Sequence, residues 1–226
     1  MKIATWNVER LKHKARLDEI RQVCEQLNAD ILVLTETDNR ISPNFKNCFQ
    51  TPRPTDTRSA KYAATENRVS IFTNYKCFQR HSTYDDNTAL CVELETEMGN
   101  LLVYGTIIGI YGNRHQSFED DLAKQLTDFK RLSAGNAKLC AIGDYNCTFA
   151  DNYYYTKSGR SALLQSFADN RMELLTKDTP ECIDHIAVSK RFVEGCVFTV
   201  EEWNCDKRLS DHKGIAVNIT KNGAFL

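Results

Sequence analysis

Polar side chains that end or interrupt apolar, strand-like runs are the residues of this sequence with chemistry to offer. Asn7 follows Trp6 at the end of "KIATWN", and Glu36 closes "ILVLTE". Asp144 and Asn146 end "CAIGDYN", Asp184 and His185 puncture "CIDHIAV", and Asp211 and His212 lie in "LSDHKG" just before "GIAVNI". Taken alone, Asp211 and His212 are ordinary turn chemistry, and a single polar residue in a strand is most often a satisfied core hydrogen bond. Five such placements are hard to explain as independent accidents, because each burial without a partner costs free energy. If the strands align, the side chains converge on one rim. Hard carboxylate oxygens with an amide and no Cys favour Mg²⁺ or Mn²⁺ over zinc. An Asp nearby can orient and deprotonate a water, while an Asn and an imidazolium can stabilise charge on a pentacovalent phosphorus. An Asp–His pair, the acid fixing the tautomer, completes an in-line displacement. The cluster reads as a site that cleaves phosphoesters.

The motifs "TWNVE", "ADILVLTET", "IGDYN", "IDHIAVS" and "LSDHKGI" occur in an order and spacing that resembles the endonuclease/exonuclease/phosphatase superfamily, the group of exonuclease III and pancreatic deoxyribonuclease. The resemblance runs from Asn7 to His212, nearly the whole chain. It implies that Asn7 and Glu36 belong to the metal site, Glu36 as a direct ligand, with Asp211 as the second metal-side carboxylate. It also implies that Asp144 orients or deprotonates the attacking water, Asn146 holds a phosphate oxygen, and Asp184 pairs with the terminal imidazole of His212. His185 matches a position where a structural role beside that pair is expected. Many relatives carry a His or Tyr that grips the scissile phosphate in the strand that here reads "VYGTIIGIYG". The aligned slot holds Ile107, so either Tyr104 or Tyr111 substitutes, Tyr111 being the better candidate, or the site runs with one fewer donor.

The elements that must position these residues follow from periodicity. "KIATWNVE" alternates as a strand, and "KARLDEIRQVCEQLN" carries apolar residues at helical spacing. "ADILVLTET" and "KLCAIGDYN" are short continuous apolar runs, the pattern of strands buried on both faces. Residues 39–67 are polar and hold Pro43, Pro52 and Pro54, which predicts a long surface excursion. Strands resume with "RVSIFTN", "ALCVELET" and "NLLVYGTIIGIYG", the last two joined by a hairpin. A helix over "SFEDDLAKQLTDFKRLSAG" starts at a possible N-cap, Ser117, and a shorter one covers "GRSALLQSFADN". Three strands finish the chain. The pattern predicts a four-layer α/β-sandwich: two mixed β-sheets packed face to face, helices outside, formed as one domain over residues 1–226.

The bulk properties bound the substrate only loosely. A net charge of −1 neither advertises nor excludes a polyanion partner. Nine cysteines, none in a CxxC pair, suit a reducing compartment. With no apolar leader and no span of membrane length, the expected location is cytoplasmic, without a membrane partner; the oligomeric state is open. Nucleic acid is the favoured substrate class. "NYYYTKSGR" (152–160) interleaves tyrosines with Lys157 and Arg160 beside the "GDYN" loop, able to stack a base and hold a phosphate. "RLKHKAR" (10–16) adds a second basic group after Asn7. Arg68 and Arg114 are further phosphate candidates, although exposed arginines are common; His13, His81 and His115 read as surface residues. A small-molecule or lipid phosphoester is the alternative substrate, and a non-catalytic binding module on the same fold is the opposing class.

Overall fold

The computed structural model describes residues 1–10, 12, 14–57 and 60–222, so the expectation for His13 lies outside the described residues. β1 (Lys2–Asn7) is buried along almost its whole length and pairs in parallel with β2 (Ile31–Asp38). A parallel pair needs a crossover. It is supplied by a 3₁₀ turn (Lys14–Arg16) and α1 (Leu17–Gln26), which turns Ile20 and Cys24 inward. The excursion after β2 is not wholly irregular: β3 (Asn47–Gln50) pairs with β4 (Glu66–Thr73), which lies antiparallel to β2. β3 escapes a periodicity reading because it is four residues long and only partly covered. β5 (Lys76–His81), an exposed edge strand, was likewise not expected.

β6 (Ala89–Thr96) and β7 (Gly99–Ile107) form the expected hairpin, with Thr96 opposite Gly99. α2 (Ser117–Leu132) then crosses to β8 (Leu139–Asp144), parallel to β7. The N-cap of α2 is Gln116 rather than Ser117, and it makes no side-chain cap; Ser117 Oγ instead meets Nδ1 of the exposed His115 at 2.6 Å. α3 (Lys157–Asp169) is capped by Thr156, whose hydroxyl accepts from the Gly159 amide. A three-residue edge strand, β9 (Met172–Leu174), precedes β10 (Asp184–Ser189), β11 (Cys196–Asn204) and β12 (Gly214–Lys221).

The strands form two six-stranded mixed sheets, ordered β11-β12-β1-β2-β4-β3 and β5-β6-β7-β8-β10-β9. They face each other across one apolar layer that includes Ile3, Val33, Val69, Ile71, Val103, Ile142 and Val217. Gly105 marks a close approach of the two sheets: a Cβ there would lie 2.7 Å from Val69 Cγ1 and 3.1 Å from Val33 Cγ1. α2 and α3 pack outside the second sheet through Phe118, Phe129, Leu163 and Phe167. α1 packs outside the first, over Trp6 and Leu32. Two helical layers around two sheets are the sandwich that the sequence predicts.

This topology gathers the polar strand ends. β1 and β2 are parallel, as are β7 and β8, so each pair ends at one edge. β10 runs antiparallel to β8 with Asp184 opposite Asp144, and β12 runs antiparallel to β1, so both begin where their partners end. Ile107 also pairs with Asp144, which puts the slot aligned with the missing His or Tyr directly beside the acid.

Candidate active site

Asn7 Nδ2 donates to Asp144 Oδ2 at 3.0 Å, a buried bond from one sheet to the other. Asn7 Oδ1 accepts from the Glu9 amide at 2.9 Å, which orients the carboxamide. The other carboxylate oxygen of Asp144 accepts from the Asn146 amide at 2.8 Å. Gly143, at φ 134°, sits so tightly against β7 that a Cβ would fall 2.1 Å from Thr106 O; only glycine delivers Asp144 to this point. Burial, with the charge of Asp184, pushes the Asp144 carboxyl up to about 7, against the pull of His212.

Asp184 Oδ2 meets His212 Nδ1 at 2.6 Å, both side chains being largely buried. Burial alone would lower the imidazole's pKa, but Asp184, aided by Asp144 and Asp211, raises it to about 10. The ring is therefore a cation at neutral pH, with Nε2 3.7 Å from Asp211 Oδ1. Its loop is pinned to β1: Ser210 Oγ donates to Asn7 O at 2.6 Å and accepts from the His212 amide at 3.0 Å. Trp6 Nε1 donates to His212 O at 3.1 Å.

Glu36 occupies the left-handed region at φ 46°, a conformation that costs a non-glycine residue energy and marks functional positions. Its carboxylate makes no hydrogen bond or ion pair among the described residues. Burial raises its pKa, opposed by His212, Arg10, Arg68 and Lys12. Asp211 is exposed, its carboxyl raised by partial burial and by Glu9 despite His212. Glu9 is one residue that the sequence reading missed. It is buried, takes the Asp211 amide on Oε2 at 3.0 Å, and pairs with Lys12 through its other oxygen. Among the described residues no three His, Cys, Asp or Glu side chains converge closely enough to encage a metal by themselves. A partnerless carboxylate on Glu36 and an exposed one on Asp211 suit a hard cation that keeps most of its waters.

Asn146, at φ 49°, gives both its amide hydrogens to backbone, to Ile108 O at 3.0 Å and Gly109 O at 3.1 Å. In this orientation it braces the loop after β7. Asn113, which carried no signal in the sequence, clamps the same loop by donating to Asn146 O at 2.7 Å. His185 is fully buried. Its Nδ1 meets the Thr176 hydroxyl at 2.8 Å, and its Nε2 faces Cys147 O and Cys182 O at 2.9 and 3.0 Å. It ties the strand that bears Asp184 to the loop that follows Asn146.

The substrate-side candidates divide. Tyr104 is excluded as a phosphate ligand, because it is buried behind the sheet with its hydroxyl on Asp128 Oδ2 at 3.1 Å. Tyr111 is 46% exposed and shares a cavity of about 150 Å³ with Arg68 and Glu36. Arg114 and Lys157 are exposed. Arg160 is turned inward: its guanidinium lies 3.6 Å from the centre of the Tyr155 ring and binds Thr148 Oγ1 at 3.2 Å and Asp151 O. It fastens its own loop and is not presented to a phosphate. Of the three adjacent tyrosines, Tyr153 is the exposed one, at 63%, and it borders a second cavity of about 270 Å³ with Asp184 and His212. His81, half-buried, pairs with Glu93 at 3.2 Å. A wider hollow of about 960 Å³ lies at the other end of β10, between α2 and α3, and holds none of the cluster.

Comparison with solved structures returns the same fold at low identity. The endonuclease domain of TRAS1, a telomere-specific non-LTR retrotransposon, is 16% identical with a TM-score of 0.65, over 96% of this chain and 97% of that one. The 3'-5' exonuclease NExo from Neisseria meningitidis is 18% identical with a TM-score of 0.67, over 96% and 99%. An AP endonuclease from Archaeoglobus fulgidus is 13% identical with a TM-score of 0.66, over 96% and 98%. No curated protein matches the chain in sequence. The Endonuclease/Exonuclease/phosphatase family matches residues 4–212, a span that contains every residue of the cluster from Asn7 to His212. By that match the chain belongs to the endonuclease/exonuclease/phosphatase family, whose chemistry is the hydrolysis of phosphoester bonds.

Proposed function

We propose that the protein is a divalent-metal-dependent nuclease, cleaving DNA or RNA by in-line attack of water. The observation that carries the hydrolytic part is the pairing of two acids with opposite tasks. Asp144 is held by Asn7 and Asn146 on fixed oxygens, and Asp184 holds His212 as a cation a few ångströms from Asp211. Asp144 orients the attacking water and takes its proton. The His212 imidazolium faces the phosphoryl oxygens as negative charge builds on them. Glu36 and Asp211, with Asn7 and Glu9 supporting, would hold Mg²⁺ or Mn²⁺, which when bound polarises the phosphoryl oxygen. The same reading treats residues 1–226 as one catalytic unit and places it in a reducing compartment such as the cytoplasm. All nine cysteines are free, and no described helix is long and apolar enough to cross a membrane.

Nucleic acid as substrate is supported by the neighbours, one of which is a 3' phosphatase form of NExo bound to a product DNA hairpin. Arg68, Tyr111, Arg114 and Lys157 are the side chains proposed to meet the strand. The test is cleavage of single- and double-stranded oligonucleotides with Mg²⁺, Mn²⁺ or EDTA, alongside binding by Asp144→Asn. Cleavage should vanish with EDTA. Binding should weaken with salt, with a slope of about 0.7–0.9 per phosphate contacted. Salt-insensitive turnover of a soluble phosphomonoester, with no oligonucleotide bound at low salt, would assign the site to a phosphatase. Turnover of neither substrate would leave a binding module.

A further inference from the structure

The two sheets end in four edge strands, and the fold defends three of them. β3 and β9 are four and three residues long, too short to recruit another strand. β5 carries Lys76 and Arg80 and a register shift between Cys77 and Gln79, the charges and irregularity that keep an edge from pairing. β11 has none of these devices. It runs nine residues, CVFTVEEWN, without Lys, Arg or Pro, and its register with β12 is regular from Cys196 to Glu202. Beyond its bonds to β12, the backbone of residues 197–204 makes no hydrogen bond among the described residues.

The side chains of β11 are as open as its edge. Three of the seven exposed large apolar side chains among the described residues are Val197, Phe198 and Val200, at 49, 37 and 38%. Phe198 and Val200 lie opposite Ile219 and Val217, which are buried in the layer between the sheets. Their face is therefore the core-facing one, and the strand overhangs the sandwich where the second sheet does not cover it. Charge narrows what could cover it. Both acids of the strand are answered within the chain, Glu201 by Lys2 and Glu202 by Lys213, each at 2.7 Å. What β11 offers is unpaired backbone and a neutral apolar stripe, which matches another strand of the same kind and not a charged partner.

The strand fits itself. In an antiparallel pair about a two-fold axis through Thr199, Phe198 lies opposite Val200 of the second copy and Val200 opposite its Phe198, all on one face. Glu201 then falls opposite Val197 and Glu202 opposite Cys196, so no acid opposes an acid. Moving the axis to Phe198 sets Glu202 against Glu194, and moving it to Val200 sets Phe198 against Glu202. We infer that two copies of this chain dimerise edge to edge through β11, joining their first sheets into one continuous sheet. β11 runs antiparallel to β12, which begins at the rim of the active site, so β11 ends there. The second copy runs the opposite way, and the two active sites open at opposite ends of the shared sheet. One strand pair lies at the low end of the ~1,200 Å² at which stable interfaces begin, so the dimer is reversible at micromolar concentration.

Sedimentation velocity of the wild type from about 1 to about 200 µM should show a monomer–dimer equilibrium. Val200→Lys sets a charge on the edge and should be monomeric over that range, with the wild-type unfolding midpoint because Val200 is already exposed. Thr199→Cys puts two thiols opposite each other at the axis. A mild oxidant such as copper–phenanthroline should link that variant into dimers well beyond the wild-type level, whose exposed Cys48 and Cys205 set the background. Val197→Cys, opposite Glu201, should stay at that background. A wild type that remains monomeric throughout, or a dimer that survives Val200→Lys, would overturn the inference. Linking through Val197→Cys in place of Thr199→Cys would overturn the register and the pairing argued from it. The exposed Thr199 tolerates substitution, so its crosslink decides even where the lysine disturbs folding.

Discussion

Replacing His185 by Gln measures how much of the protein's acid sensitivity passes through one buried imidazole. His185 is fully buried and uses both ring nitrogens, Nδ1 toward the Thr176 hydroxyl and Nε2 toward two carbonyls. Those carbonyls require a proton on Nε2, so Nδ1 is the acceptor in the neutral ring. Burial, against the raising influence of Asp184 and the two carbonyls, pulls the pKa from 6.5 to about 4. A folded pKa below the unfolded one means that the unfolded chain binds the extra proton first. Stability from this group is complete above pH 6.5 and is lost as pH falls toward 4. The gap corresponds to about 3 kcal/mol at full titration. Asp144 acts in the opposite sense, because its raised carboxyl binds a proton more readily in the folded state between 3.8 and about 7. The wild-type curve alone therefore mixes these opposed slopes with those of other shifted groups, His212, Glu36 and Asp211 among them. The difference between wild type and His185→Gln isolates one of them. In urea unfolding at half-unit steps from pH 7.5 to 4, the variant should be less stable at pH 7 because the ring's hydrogen bonds are gone. The difference should then shrink by up to about 3 kcal/mol toward pH 4. Parallel curves over the whole range would show that His185 does not carry the acid sensitivity and that its burial is misjudged.

The remaining expectations concern the site and the core. Asp144→Asn and His212→Ala should each lower kcat by about 10²–10⁴-fold, His212→Ala also lowering the unfolding midpoint because Asp184 stays buried without its cation; wild-type rates in both would place the chemistry elsewhere. Asp184→Ala and His212→Ala should be non-additive in kcat/KM, since the 2.6 Å contact makes them one unit; losses that simply multiply would dissolve the pair. Glu36→Gln should raise the metal concentration needed for half-maximal rate, with Mn²⁺ restoring part of it; an unchanged metal titration would remove Glu36 from the ligand set. Gly105→Ala should destabilise by about 1–3 kcal/mol, because its Cβ enters the space of Val69 and Val33, lowering Tm by several degrees. An unchanged Tm would mean that the sheets separate more easily than their packing implies.

The strand ends were legible in the sequence because their signal is local. A short apolar run closed by Asn7, Glu36 or Asp144 declares itself within a few residues, whatever the rest of the chain does. The order of strands and helical crossovers then predicts two packed sheets; parallel pairing within each sheet, with β10 and β12 running antiparallel to their partners and the sheets packed face to face, brings those ends to one rim. What depends on partners from distant parts of the chain could not be read this way. Glu9 resembles any surface acid until the loop at residues 210–212 folds over it and Asp211 donates to it. Arg160 has the composition of a phosphate ligand, but the loop at residues 148–155 closes around its guanidinium. Tyr104 and Tyr111 are equivalent as letters, but Tyr104 lies within β7 with its hydroxyl turned to Asp128, whereas Tyr111 lies in the loop beyond the strand and lines the cleft. Asn67 was silent, since the burial that leaves its Nδ2 without an acceptor among the described residues arises only once β4 and its neighbours have packed. Local pattern determines which residues lie at strand ends. Whether a side chain is satisfied, buried or offered to a ligand is decided by register and by loops that meet only in the folded protein.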